Sequence, residues 1–209
     1  MVAIKNHVTR LSKYKSILKR LKSVGMNRVF AESLADAANV NSAQLRKDFS
    51  IFGITGNKKG GYQIDILIEK IEFLLGKSKN HPVVLVGCGN LGTALSRYSE
   101  FEKENISIVA GFDIDETKLE NSGKFPVYHS CELNNFIREH KIEIGILAVP
   151  AAAAQSTFDI MVEAGIKGVL NFSSMVLRSP SDVFVNNIDL EMALETIIFY
   201  TNSPVKDQV

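Results

Sequence analysis

The feature that most restricts the fold of this chain is a short apolar run, Val83-Val84-Leu85-Val86. It enters Gly87-Cys88-Gly89-Asn90-Leu91-Gly92, and Leu91, Ala94, Leu95 and Tyr98 follow at helical spacing. A strand turning through G-x-G-x-x-G into a helix is a phosphate-binding turn. The first glycine permits the tight turn, the second lets the backbone approach a pyrophosphate, and the third lets helix and strand pack closely, with the helix N-terminus facing the anion. Gly87, Cys88, Gly89, Asn90, Leu91 and Gly92 are therefore candidate cofactor-binding residues. Cys88, at an x position, reads as a small packed side chain rather than a redox thiol.

The next apolar segment, Ile106 to Phe112, ends at Asp113, 21 positions after Gly92. A carboxylate there binds the adenine ribose 2′-OH and repels a 2′-phosphate, which favours NAD(H) over NADP(H). The alternation continues with strands at Pro126 to Tyr128, Ile144 to Val149 and Gly168 to Phe172, and with helices at Glu132 to His140 and Gln155 to Ala164. This pattern predicts a doubly wound parallel sheet of Rossmann type. Ligands of such sheets lie beyond the strand C-termini, so Val149, Pro150, Asn171 and Phe172 are read as the wall around the nicotinamide end.

Charge divides the chain. The 209 residues have a net charge of +1, yet residues 1 to 80 hold 15 Lys and Arg against 6 Asp and Glu, while the remainder holds 9 against 17. A basic segment of this kind attracts a polyanion. Within it, Val8, Leu11, Tyr14, Leu18 and Leu21 mark a helix ending near Gly25, and Phe30, Leu34 and Ala38 mark a second. Ser42 is the expected N-cap of a third, in which Leu45, Phe49 and Phe52 face inward and Gln44, Arg46 and Lys47 outward. The glycine-rich Gly56-Asn57-Lys58-Lys59-Gly60-Gly61-Tyr62 then reads as a basic wing. Helix-turn-helix spacing alone fits any three-helix domain. Joined to the wing and the charge split, it points to double-stranded DNA, approached by Ser42, Gln44, Arg46, Lys47, Lys58, Lys59 and Tyr62. A fourth helix over Ile64 to Leu75 closes at Gly76, and Lys77 to Pro82 is a linker. The expected domains are a winged helix over 1–78, a Rossmann domain over 79–188, and a C-terminal dimerisation helix with its tail over 189–209.

Other classes are disfavoured. No apolar run approaches the roughly 18 residues of a membrane span, and the N-terminus has no secretory h-region. Two cysteines, Cys88 and Cys131, make no disulfide framework, so the cytoplasm is the expected compartment. No Ser/His/Asp arrangement and no metal-ligand spacing are legible, so neither catalysis nor a metal is expected. The last helix, from Asp189 through Leu190, Leu194, Ile197 and Ile198 to Tyr200 with Pro204 beyond, carries an apolar stripe that a completed sheet leaves uncovered. A second subunit would bury it.

Taken in order, Ser42-Ala43-Gln44-Leu45-Arg46-Lys47-Asp48-Phe49-Ser50, Gly60-Gly61-Tyr62, Gly87 to Gly92, Phe112-Asp113-Ile114-Asp115, Ala148-Val149-Pro150, Gly165-Ile166-Lys167-Gly168 and Ile188-Asp189-Leu190 resemble the Rex family of redox-sensing transcriptional repressors. The resemblance implies a homodimer with no catalysis. It implies binding to an inverted-repeat operator when NADH is scarce and release when NADH rises, with NADH and NAD+ as cofactors. It also matches Tyr98 and Asp189 to a contact that differs between the two states. The chain departs from the family at Ser16, where many members carry arginine, and at Ser173-Ser174, where Ala-Pro is frequent. The second departure predicts a more polar nicotinamide pocket. The alternatives are an NAD-dependent oxidoreductase and a CoA- or nucleotide-binding subunit, each with a basic N-terminal domain.

Overall fold

The computed structural model describes residues 2–56, 60–119 and 124–202, with residues 2–5 described by backbone alone. They fall into two compact units, Met1–Lys79 and Asn80–Val209.

The first unit is built from helices α1 (Val2–Ser23), α2 (Ala31–Ala37), α3 (Ser42–Ile51) and α4 (Ile64–Leu74), with strand β1 (Arg28–Val29) pairing antiparallel with β2 (Tyr62–Gln63). The three- and four-residue spacing of α1 buries Leu11, Tyr14 and Leu18 completely, against Leu34 of α2, Leu45 and Phe49 of α3, and Ile64 and Ile71 of α4. Gly25 closes α1 with φ of 86°, a left-handed conformation that suits glycine. Asn41, not Ser42, caps α3: its side chain accepts a hydrogen bond from the Gln44 amide at 2.7 Å. Both residue types cap well, and the extended backbone at Asn41 decides between them. The β1–β2 pairing was not legible, because a two-residue strand has no periodicity.

The second unit is a six-stranded parallel sheet in the order β5-β4-β3-β6-β7-β8, with β3 (His81–Val86), β4 (Ile106–Asp113), β5 (Val127–His129), β6 (Ile144–Leu147), β7 (Gly168–Asn171) and β8 (Phe184–Asn187). Helices α5 (Asn90–Ser96), α6 (Glu100–Lys103), α7 (Leu133–His140) and α8 (Ala151–Ala164) connect the strands, and α9 (Leu190–Asn202) ends the described chain. Alternation across the pleat explains the continuous apolar run of β3. Val84 and Val86 join Phe158 and Met161 in one core, while Val83 and Leu85 join Ile146 and Val127 in another. The chain winds outward from β3 through β4 to β5, then returns to the other side of β3 at β6, which makes β3/β6 the topological switch point.

Two boundaries and one strand differ most from the sequence expectation. α8 starts at Ala151 rather than Gln155, since four consecutive alanines are strong helix formers that amphipathic periodicity overlooks. β6 ends at Leu147, leaving Ala148 to Pro150 as a turn. The edge strand β8 has no strand-like composition, since two of its four residues are asparagine, a residue depleted in strands.

Candidate functional site

A cleft of about 820 Å³ lies past the C-terminal ends of β3, β4 and β6. Of the residues singled out from the sequence, Gly87, Gly89, Asn90, Leu91, Asp113, Val149, Pro150 and Phe172 line it. The three glycines have three different reasons to lack a side chain. Gly87 has φ of 94°, and a Cβ on it would stand 2.4 Å from the Ala148 carbonyl oxygen. A Cβ on Gly92 would stand 2.0 Å from the Gly87 carbonyl oxygen, so this glycine lets α5 pack on its own turn. A Cβ on Gly89 meets no protein atom within 4 Å. No protein neighbour within 4 Å accounts for Gly89, and the open side leaves room for a diphosphate to approach the backbone.

Asp113 ends β4 and is buried, with its carboxylate held on both sides. The Cys88 amide donates to Oδ2 at 2.7 Å and the Asp115 amide to Oδ1 at 3.0 Å. Lys118 Nζ lies 3.5 Å from Asp113 Oδ2. Cys88 turns its side chain toward a smaller neighbouring cavity of about 160 Å³ that Gly92 also lines. Burial, and then the charge of Asp113, push the Cys88 thiol up to about 11, so it is neutral and unreactive near pH 7. Asn171 is not part of the cleft wall. It is fully buried, donates to the Met175 carbonyl and to Asn187 Oδ1 at 2.9 Å each, and accepts from the Ser173 amide and hydroxyl. The Ser173 hydroxyl is therefore spent inside the protein and does not make the cleft more polar, contrary to the expectation from its replacement of alanine. Ile114, Asp115, Lys118, Ser130, Cys131, Ala153, Thr157 and Ile160 also line the cleft. Apart from Ile114 and Asp115, which stand in the motif after Asp113, no signal in the sequence marks them, because they come together only through the sheet order.

In the first unit, Arg46 and Lys47 of α3 are exposed, and Ser42 is half-buried. Arg46 pairs with Glu32 of α2, an exposed ion pair worth at most about 1 kcal/mol and therefore cheap to exchange for a phosphate or a base. Gln44, expected to face outward, instead donates through Nε2 to Asp48 Oδ1 at 2.7 Å. Asp48 is fully buried and gathers further donors from α1: His7 Nδ1 at 2.6 Å, Arg10 Nε at 2.6 Å and Nη2 at 2.8 Å, and the Tyr14 hydroxyl at 2.8 Å. Burial pushes its carboxyl up, but the hydrogen bonds from Arg10, His7, Tyr14 and Gln44 outweigh this and hold it well below the usual carboxylate range. Tyr62 is half-buried, its ring edge-on to Phe49 at 5.2 Å, and Arg28 braces the turn before it through Gly60 O at 2.8 Å. Lys58 and Lys59 lie outside the described residues.

Tyr98 is exposed, with its ring packed edge-on to Phe101 at 5.1 Å. Asp189 caps α9, accepting from the Met192 amide at 2.9 Å. Among the described residues no group of three or more His, Cys, Asp or Glu side chains could hold a metal ion. No helix in them is long and apolar enough to cross a membrane.

A basic helical unit with an exposed third helix, followed by a Rossmann unit with an intact glycine turn, defines a class: a DNA-binding regulator joined to a dinucleotide-type ligand domain. Family models agree, with one described as a putative DNA-binding protein N-terminus matching residues 5–50 and one described as a CoA binding domain matching residues 78–175. The chain is 40% identical over 201 residues to the redox-sensing transcriptional repressor Rex of Listeria welshimeri, covering 95% of this chain and 94% of the relative. It is 42% identical over 193 residues to Rex of Desulforamulus reducens, covering 92% of each. Solved structures of RSP, a Rex-family repressor, match at 32% identity. The complex with β-NADH has a TM-score of 0.86 over 94% of this chain and 93% of RSP; that with β-NAD+ and operator DNA has 0.89 over 95% and 92%. The chain belongs to the Rex family of redox-sensing transcriptional repressors.

Proposed function

We propose that this chain works as a homodimeric, DNA-binding transcriptional repressor that senses the ratio of NADH to NAD+, held on an inverted-repeat operator at low NADH and released when NADH binds. The observation that carries the ligand half is Gly89, whose open side leaves room for a ligand to approach the backbone at the turn, beside a buried carboxylate at the end of β4. Gly87, Gly89, Asn90 and Leu91 would hold the pyrophosphate, Asp113 the adenine ribose, and Val149, Pro150 and Phe172 the nicotinamide end. The bound nicotinamide supplies a redox state to be read; the protein groups bind and orient it. Arg46 and Lys47 would meet the operator, with Gln44 positioning the helix through Asp48. A role on operator DNA would place the protein in the cytoplasm.

Gly89→Ala is expected to leave thermal stability within about 0.5 kcal/mol of the parent while weakening NADH binding about tenfold or more. Gly92→Ala is expected to cost about 1–3 kcal/mol of stability through overpacking. Calorimetric titration and melting curves separate the two, and parental NADH affinity in Gly89→Ala would remove the cofactor from this turn.

Titrating operator binding against NADH at fixed NAD+ tests the sensing itself. Arg46→Ala is expected to lose about 1–3 kcal/mol of discrimination between operator and random duplex. Lys47→Ala is expected to lower the salt slope by about one. The matching CoA binding domain model makes CoA the informative competitor. CoA displacing operator DNA where NADH does not would reassign the ligand.

A further inference from the structure

Cofactor choice in this cleft turns on three charged groups. Among the described residues, Asp113, Asp115 and Lys118 are the only charged ones lining it. Lys118 belongs to the short 3₁₀ turn Glu116–Lys118 that follows β4, and Asp115 caps that turn by accepting from the Thr117 amide at 3.0 Å and hydroxyl at 2.7 Å. The turn brings the Lys118 ammonium within 3.5 Å of both Asp113 Oδ2 and Asp115 Oδ2. The field of Asp113 outweighs the opposing desolvation and, joined by that of Asp115, raises its pKa and keeps it protonated. A cation therefore stands beside the carboxylate that would take the ribose 2′-OH. Dinucleotide folds that accept a 2′-phosphate use a cation in that neighbourhood.

We propose that Lys118 is a specificity-determining residue, a latent 2′-phosphate acceptor that Asp113 and Asp115 hold neutralised, so that NADP(H) is excluded by the two carboxylates and not by a lack of positive charge. The inference rests on the NADH reading of the cleft. Two carboxylates and one ammonium leave a local charge of −1, which opposes a phosphate dianion. Removing the Asp113 charge brings the sum to zero and frees one side of the ammonium for a new anionic partner. Asp115 stays with the turn, because its Oδ1 is tied to Thr117 while its Oδ2 faces Lys118.

The test compares NADH and NADPH binding to the full chain by the fluorescence of the reduced nicotinamide, which no tryptophan obscures because the sequence has none. Asp113→Asn is expected to raise the ratio of NADPH to NADH affinity by about tenfold or more at low salt, with the gain shrinking as salt screens it. The double variant Asp113→Asn with Lys118→Ala is expected to lose that gain. Asp113→Ser repeats the test without presenting an amide to the Cys88 and Asp115 N–H donors. Melting curves and operator binding check that each variant is folded. If Asp113→Asn and Asp113→Ser both leave the ratio unchanged, or the double variant keeps the gain, Lys118 is not the acceptor, although parental NADH binding would still stand. A folded parent that binds no NADH overturns the cofactor reading and this inference together.

Discussion

Asp48→Ala is expected to destabilise the N-terminal unit by about 3–5 kcal/mol, because it leaves Arg10 partly buried without its carboxylate. The same change withdraws the acceptor of Tyr14, which is fully buried, and that of Gln44 on α3. Operator binding is expected to be lost while NADH still binds the second unit. Urea unfolding of the full chain followed by circular dichroism, with NADH titration alongside, checks both halves. A parental unfolding midpoint would show that the network carries little stability. The pH dependence has a definite sign. The folded-state pKa of Asp48 is depressed, so its contribution is fully present above the ordinary aspartate value of about 4 and is lost as pH falls toward the depressed value. Asp48→Asn is expected to flatten that acid limb of the stability curve.

Removing residues 190–209 is expected to abolish the dimer and to weaken operator binding by a factor of about 10²–10⁴, the usual scale for losing one of two linked contacts. Every residue of α9 is exposed within the chain, including Leu190, Leu194, Ile197 and Ile198 on one stripe and Met192, Phe199 and Tyr200 beside it. An apolar helix exposed on all sides is stable when another surface covers it, and a two-fold partner would also supply the second recognition helix for an inverted repeat. Analytical ultracentrifugation and operator titration of the truncated chain decide the matter. A truncated protein that stays dimeric and still releases operator DNA on NADH addition would falsify this role for α9. Release itself requires that NADH bind one arrangement of the dimer more tightly than the other.

Much of this was legible in the sequence because it depends on neighbours close along the chain. The G-x-G-x-x-G turn between an apolar strand and a helix is a local statement, and so are the spacing that buries Leu11, Tyr14 and Leu18, the carboxylate at the end of β4, and the uncovered stripe of α9. Tertiary structure decided what depends on residues distant in the chain. Asp48 reads as one acid in a polar stretch until α1 brings His7 and Arg10 to it from 41 and 38 positions away. The same carboxylate also takes the Gln44 side-chain amide, a bond within α3 that the outward spacing of Gln44 did not announce. Asn171 reads as cleft wall until β8, a strand without a strand's composition, takes its amide at Asn187. Lys118 reads as a solvated lysine until the turn after β4 folds it back on Asp113. Periodicity and capping record interactions over three or four residues, which the backbone imposes by itself. A buried polar group takes its partners from whichever elements packing brings alongside, and no local pattern names them.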